Sequence, residues 1–388
     1  PMRTKHLVLI LVFLVSGCGK KQEIQCLVSN AETVVGGQTG QELSPTQVFR
    51  KNNGTEPGTL DPHRAEGVPA SNVLRDLFEG LVMEDPSGAY IPGAAESWSL
   101  SEDAKTYVFK MRENGKWSNG DAVTAEDFVY GLRRSVDPAT LSNYSSMLYP
   151  IKNARDIVLG KKSSETLGVR ASGPTTLIIE LDEPTPYFLS LLTHSTTYAA
   201  HRPSVEEFGA RFTRPGNLVG NGAFKLEEWR VQSHIKLVRN TEYWDNKNTT
   251  LEEVYYYPLD DVNSSFKRYR AQELDFTETV LAEQLPWIRQ CLPDDLKISP
   301  YFGSYYYGFN NTRPPFKNKP KLRTALSMAV DRSVITDIIL GAGQIPAYSL
   351  VPSVKTFKAV PTNWSQWTQE QRNQEAQKLY RASGFSKE

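Results

Sequence analysis

The stretch TYVFKMRENGKWSNGDAVTAEDFVYGLRRSVDP, Thr106 to Pro138, carries a strand, a turn and a capped helix in one run. Tyr107, Phe109 and Met111 recur at every second position, the spacing that places them on one face of a half-buried strand. Asn119-Gly120 then marks a turn. Thr124-Ala-Glu-Asp127 has the spacing of a capping box, in which the hydroxyl accepts from the backbone three residues on and the acid reaches back. It predicts a helix to about Val136. Asp137-Pro138 stops that helix, because proline lacks the N–H and crowds the preceding turn.

The same alternation extends in both directions. Before it, residues 46–62 read as a short strand running into a turn-rich loop. A helix is expected over about Ser71 to Glu79, with Ser71 as cap and Val73, Leu74, Leu77 and Phe78 as its apolar stripe. After it come a strand at Thr175 to Glu180 and a helix-like PTPYFLSLLT. A glycine-rich turn at Gly216 to Gly222 leads to the strands FKLEEW and HIKLVRN, a strand at Glu253 to Tyr257 and a helix at Asn263 to Ala271. Lys321 to Leu340 reads as one long helix, and Thr368 to Ala382 as another, capped by Thr368 and Gln371 and stopped near Gly384. Strands and helices alternate throughout, which defines a mixed α/β chain of more than one lobe.

Composition narrows the function. The 388 residues include 44 Lys+Arg and 44 Asp+Glu, so no long-range field favours nucleic acid. The chain opens with Arg3, Lys5 and His6, then the apolar run Leu7 to Val15 and Ser16-Gly17-Cys18. Nine helical residues reach about 14 Å at 1.5 Å each, short of the roughly 30 Å hydrocarbon core. The segment therefore reads as an export signal. Residues 19–45 are polar and suit a tether. Cys26 and Cys291 can pair in an oxidising compartment or stay free thiols; the spacing decides neither. The five histidines are scattered, and no Gly-x-Ser-x-Gly or His-Glu-x-x-His pattern occurs, which argues against an enzyme, a cofactor or a metal. LGKKSS, Leu159 to Ser164, lacks the upstream glycine of a phosphate loop and reads as surface.

Several stretches, in this order, resemble the extracytoplasmic oligopeptide-binding proteins of ABC importers (solute-binding protein family 5) and the related murein-peptide binders. They are TLDPHRAEGVP, RDLFEGLV, PGAAESW, the opening stretch, PGNLVGNGAF, YYYGFNN, PPF and LRTALSMAVDR. Val15 to Cys18 also resembles a bacterial lipobox, which implies lipidation at Cys18, with 1–18 as the lipoprotein signal region. The resemblance implies a two-lobed, three-domain clamp of the periplasmic-binding-protein type (type II, peptide-binding subclass). Domain I would take 46–78 and 202–302, domain II the insertion 79–201, and domain III would begin at 303. In the family the third domain runs further than Glu388 and the chain returns to the first, so the C-terminal part is expected to be missing here, and with it tight peptide binding.

By the same resemblance Glu66, Val68, Tyr144, Tyr301 and Tyr306 would line the ligand site. The expected function is a substrate-binding lipoprotein that captures short peptides in extended form between two lobes. Such a site offers strand edges and hydroxyls to the ligand backbone and leaves side chains to roomy, wet pockets. In YFGSYYYGFNNTRPPF, Tyr301 to Phe316, strand alternation would turn Tyr306 to the cleft and Tyr305 and Tyr307 to a core. The implied partners are short peptides and an ABC permease with its ATPase subunits; membrane contact is through the lipid alone, the protein is a monomer, and it sits at the cell envelope. Three departures leave a murein-peptide specificity open: Gly308 in place of a frequent glutamate, Gly303 in place of a cysteine found in some members, and Leu340 in place of a lysine. A surface or sensing lipoprotein of the same fold that does not transport is a further alternative.

Overall fold

The computed structural model describes Cys26 and residues 43–299, 301–353 and 357–386. Cys18 and the signal-like run, and all of the tether before residue 43 except Cys26, lie outside the described residues. The chain divides into two compact units, one spanning Gln38–Leu281 and the other taking Ala282–Glu388 and, before Gln38, the described Cys26.

In the first unit Val48–Asn52 (β1) pairs in parallel with Glu253–Tyr257 (β10). That strand is antiparallel to His234–Arg239 (β9), itself antiparallel to Phe224–Arg230 (β8). Between β1 and β8 the chain inserts a hairpin, Val82–Glu84 (β2) with Tyr90–Pro92 (β3), and a second sheet. The second sheet is antiparallel: Ala95–Leu100 (β4) on Thr106–Met111 (β5), β5 on Thr176–Glu180 (β7), and β7 on Val169–Ala171 (β6).

The alternation in β5 is borne out, with Tyr107, Phe109 and Met111 buried and Lys110 exposed. Gly67–Leu77 (α1) follows β1 and buries Ala70, Val73, Leu74 and Leu77. It starts four residues before the expected Ser71, because Gly67 opens the first turn and Pro69 is tolerated there, where its missing N–H has no helical acceptor. Ala125–Val136 (α2) has the predicted capping box: Asp127 Oδ2 accepts from Thr124 N (2.7 Å) and Thr124 Oγ1 (2.9 Å). Its Phe128, Leu132 and Val136 are buried, and each contributes about 2 kcal/mol by leaving water. Shorter helices follow at Ala154–Val158 (α3), Phe188–Leu191 (α4), Arg202–Phe208 (α5) and Val262–Arg270 (α6).

Two chain crossings join the sheets. Gly222 N donates to Leu77 O (3.0 Å), while Asn221 accepts from Glu79 N (3.0 Å) and donates to Glu79 O (2.9 Å). A Cβ on Gly220 would stand 2.1 Å from Leu77 O, and one on Gly222 2.4 Å from Asp76 O. The glycine-rich turn is thus a close approach of two backbones, which only glycine permits. Glu79 is buried here and accepts from Tyr243 Oη (2.6 Å) and Trp244 Nε1 (2.8 Å). Burial outweighs those donors and lifts its pKa to about 7.

The second unit holds Leu285–Cys291 (α7), Pro320–Ala329 (α8) and Gln369–Ala382 (α9). Its buried cluster is Ala325, Met328, Trp364 and Ala376. The capping box of α9 is present, with Gln371 N on Thr368 Oγ1 (3.2 Å) and Thr368 N on Gln371 Oε1 (2.9 Å).

Two expectations here need correction. The single helix over 321–340 is broken: Val330 is extended (φ −78°, ψ 116°), and Asp331 accepts from Ser333 N and Val334 N before a wide helical turn at Val334–Leu340. Helical periodicity persists across that break, so the pattern could not reveal it. The segment 301–310 is not a strand among the described residues; Tyr305 and Tyr307 are 88% and 82% exposed rather than packed in a core. Among the described residues no neighbouring strand pairs with it, and alternation has no buried side without one. The cysteine alternative is settled: Cys26 and Cys291 form a disulfide, with Cα atoms 5.4 Å apart. No described helix is long and apolar enough to cross a membrane.

Candidate functional site

The site is built on the loop that carries β1 into α1. Asp61, buried in that loop, receives both ends of the Arg134 guanidinium from α2, at 2.8 and 2.7 Å. Burial alone would raise the Asp61 carboxyl, but the Arg134 hydrogen bonds and the nearby charges hold it below its usual value. Arg134 also donates to His63 Nδ1 (2.8 Å), which leaves His63 Nε2–H to donate to Tyr198 O (2.9 Å). Burial first, then the Arg134 charge, pushes His63 down to about 4, so it stays neutral near pH 7. A paired, satisfied cluster of this kind fixes the loop to α2.

Three residues past His63 the loop exposes Glu66, Gly67 and Val68. Glu66 stands at the N-cap of α1 but makes no capping bond; its Oε1 accepts instead from Asn143 Nδ2. Gly67 has φ +78°, a left-handed conformation that suits glycine, and Val68 is 51% exposed at the helix start. Asn143 and Tyr144 lie between the tight turns Pro138–Thr140 and Ser145–Leu148. The half-buried Tyr144 ring meets His194 edge-on, centroids 5.0 Å apart, and burial followed by the Arg75 charge depresses the His194 pKa.

Three predicted residues, Glu66, Val68 and Tyr144, therefore belong to one unit, and a hydrogen bond ties Glu66 to the residue beside Tyr144. Tyr301 and Tyr306 belong to the other unit and are 85% and 68% exposed. Asn143 was missed by sequence reasoning; its side chain acts across 77 residues, and nothing local marks it. Asp61, His63 and Arg134 all stand in or beside quoted motifs, but their pairing spans more than 70 residues and was equally hidden. Among the described residues no group of three or more His, Cys, Asp and Glu side chains is placed to hold a metal.

This geometry can present acceptors, hydroxyls and apolar surface to a ligand. The chain belongs to the bacterial extracellular solute-binding proteins, family 5, whose middle-region model matches residues 89–388. It is 42% identical over 364 residues to the periplasmic oligopeptide-binding protein OppA of Salmonella typhimurium, covering 93% of this chain and 67% of that one. The solved structure of the Escherichia coli murein tripeptide binding protein MppA superposes with a TM-score of 0.84 at 38% identity, covering 89% of this chain and 68% of that one. Haemophilus influenzae OppA in complex with RPPGFSPFR gives a TM-score of 0.83 at 40% identity, with 89% and 68% covered. The fold is thus that of the family's solved structures. The chain spans about two thirds of the length of the curated relatives it matches.

Proposed function

We propose that the chain is the substrate-binding component of an ABC importer, taking short peptides in extended form. Glu66, Val68, Tyr144, Tyr301 and Tyr306 are the residues that would contact the ligand. The observation that carries this reading is the Glu66–Asn143 hydrogen bond beside Tyr144, in a family where OppA, at 42% identity, and MppA, at 38%, are named for oligopeptide and murein-peptide binding. An acceptor carboxylate and a phenol held together suit a peptide's N–H and C=O groups.

The domain division follows the same reading: 46–78 with 202–302, the insertion 79–201, and a third domain from 303. The pairing of β1 with β10 across an inserted second sheet supports it. Lipidation at Cys18, a cell-envelope location and delivery to a permease with its ATPases complete the proposal. Two lobes would close over the ligand by a shift between open and closed populations. A murein-peptide preference stands as the second reading, favoured by Gly308, which has no side chain to crowd or charge a ligand.

Uptake of a labelled tripeptide in cells that lose this gene tests import. Uptake should fall to background and return with the wild-type gene, but not with Tyr144→Ala. Unchanged uptake in the deletion strain rejects the import reading. Mass spectrometry of the membrane fraction, searched for a diacylglyceryl group at Cys18, checks the anchor.

A further inference from the structure

A recess lies in the first unit, lined in part by the Asp61–Arg134 pair. It encloses about 290 Å³ and is walled by the 59–64 loop, the end of α2, the Pro138–Thr140 turn, and α5 with the Gly209–Arg211 turn after it. That is close to the lower end of the range for small-molecule sites. Its lining is mixed: Arg64 and Arg134 bring charge, Thr59 and Thr140 bring hydroxyls, and Val205 and Ala139 bring apolar surface.

The charge balance of the recess is not neutral. Arg134 is spent on Asp61, both Nη atoms bonding both carboxylate oxygens. Glu206, the residue after Val205, is paired with Arg202 Nε (2.6 Å). Arg64 is exposed, and its guanidinium makes no hydrogen bond or ion pair with any described residue. A spare cation thus faces a space whose floor is rigid, because Asp61, His63 and Arg134 satisfy one another. Gly209 keeps the wall low: at φ +53° it favours glycine, and a Cβ there would meet nothing within 4 Å.

We infer that this recess binds a small monocarboxylate with a compact apolar body, its carboxylate on Arg64 and the Thr59 and Thr140 hydroxyls and its body against Val205 and Ala139. A planar guanidinium matches a carboxylate in two parallel hydrogen bonds, and a site prepared beforehand loses little on ordering. The walls run directly into the candidate peptide residues, Arg64 two positions before Glu66 and Thr140 four before Tyr144. The inference does not depend on the peptide reading, since the recess and its partners lie wholly in the first unit.

Benzoate is the probe, with benzamide as the neutral match of the same shape, each titrated into the whole chain and followed by NMR shifts or equilibrium dialysis. Benzoate should saturate at millimolar concentration. Benzamide and the Arg64→Gln variant should each bind at least about tenfold more weakly, the ratio expected for losing hydrogen bonds to a charged partner. Thr140→Val, which removes one hydroxyl at nearly constant shape, should weaken benzoate about threefold and leave the thermal midpoint within a few degrees. Equal binding of benzoate and benzamide, no change in Arg64→Gln, or no saturation at all overturns the inference. Arg64 is exposed, so its variant folds and the comparison stays clean.

Discussion

The two units handle the same kinds of residue differently. In Gln38–Leu281 the large apolar side chains converge: Phe78, Phe109, Trp117, Phe128, Phe188 and Tyr198 are all buried in one cluster. In the second unit the buried cluster is small, and Tyr301, Phe302, Tyr305, Ile338, Ile345 and Val360 remain exposed. Both units contain well-capped helices. A capped helix and an alternating pattern offer an apolar face, but the face is buried only where another layer lies against it. Aromatic content therefore does not predict core; a facing layer does.

That contrast can be broken by measurement. The largest expected effect is Phe128→Ala in α2, which should lower unfolding stability by about 4 kcal/mol through lost burial and a cavity. Tyr306→Ala, at an exposed site, should change it by less than about 0.5 kcal/mol. Urea denaturation of both variants decides, and similar costs would mean the contrast is wrong.

Arg134→Met should cost about 3 kcal/mol, because it leaves the buried Asp61 carboxylate without its partner. A double variant with Asp61→Asn should recover part of that loss. If Arg134→Met alone is neutral, the cluster does not fix the loop.

Glu79 makes a prediction about pH. Its folded pKa of about 7 lies above the ordinary 4.5, so the folded protein holds the proton more tightly than the unfolded chain. The stability it contributes is complete below pH 4.5 and is lost as pH rises through 7, by no more than about 3 kcal/mol. Thermal midpoints of the wild type minus those of Glu79→Gln should therefore fall from about pH 5 to about pH 8. A flat difference would place the titration elsewhere.

The smallest effects sharpen the comparison from the other side. Thr124→Ala and Thr368→Ala, one cap in each unit, should each cost about 1 kcal/mol. Comparable losses would mean that local helix signals work alike in both units, whatever the size of the core behind them.

How much was legible follows the same division. The strand through Tyr107, Phe109 and Met111, both capping boxes and the strands from Phe224 to Tyr257 could be read directly, because each rests on contacts a few residues apart. The helix start at Gly67, the break at Val330 and the exposed tyrosines could not. The first was settled by how the chain enters from β1. The second came from capping by the Asp331 side chain, which leaves no trace in apolar periodicity, and the third from the lack of a pairing strand among the described residues. In the candidate site, motif resemblance pointed to Glu66 and Tyr144, while Asn143 and the Asp61–Arg134–His63 cluster emerged only from the folded chain.

The sequence by itself determined most of the order of elements, the two capping boxes, the glycine-rich turn at 216–222, and membership in a family recognised by its motifs. Those features depend on short-range sterics and hydrogen bonds, which a local pattern encodes. Tertiary structure decided which aromatic faces are covered, that Cys26 meets Cys291, and that Glu66 is held by Asn143. Each of these joins residues far apart in the chain, and such contacts exist only once the intervening elements have packed.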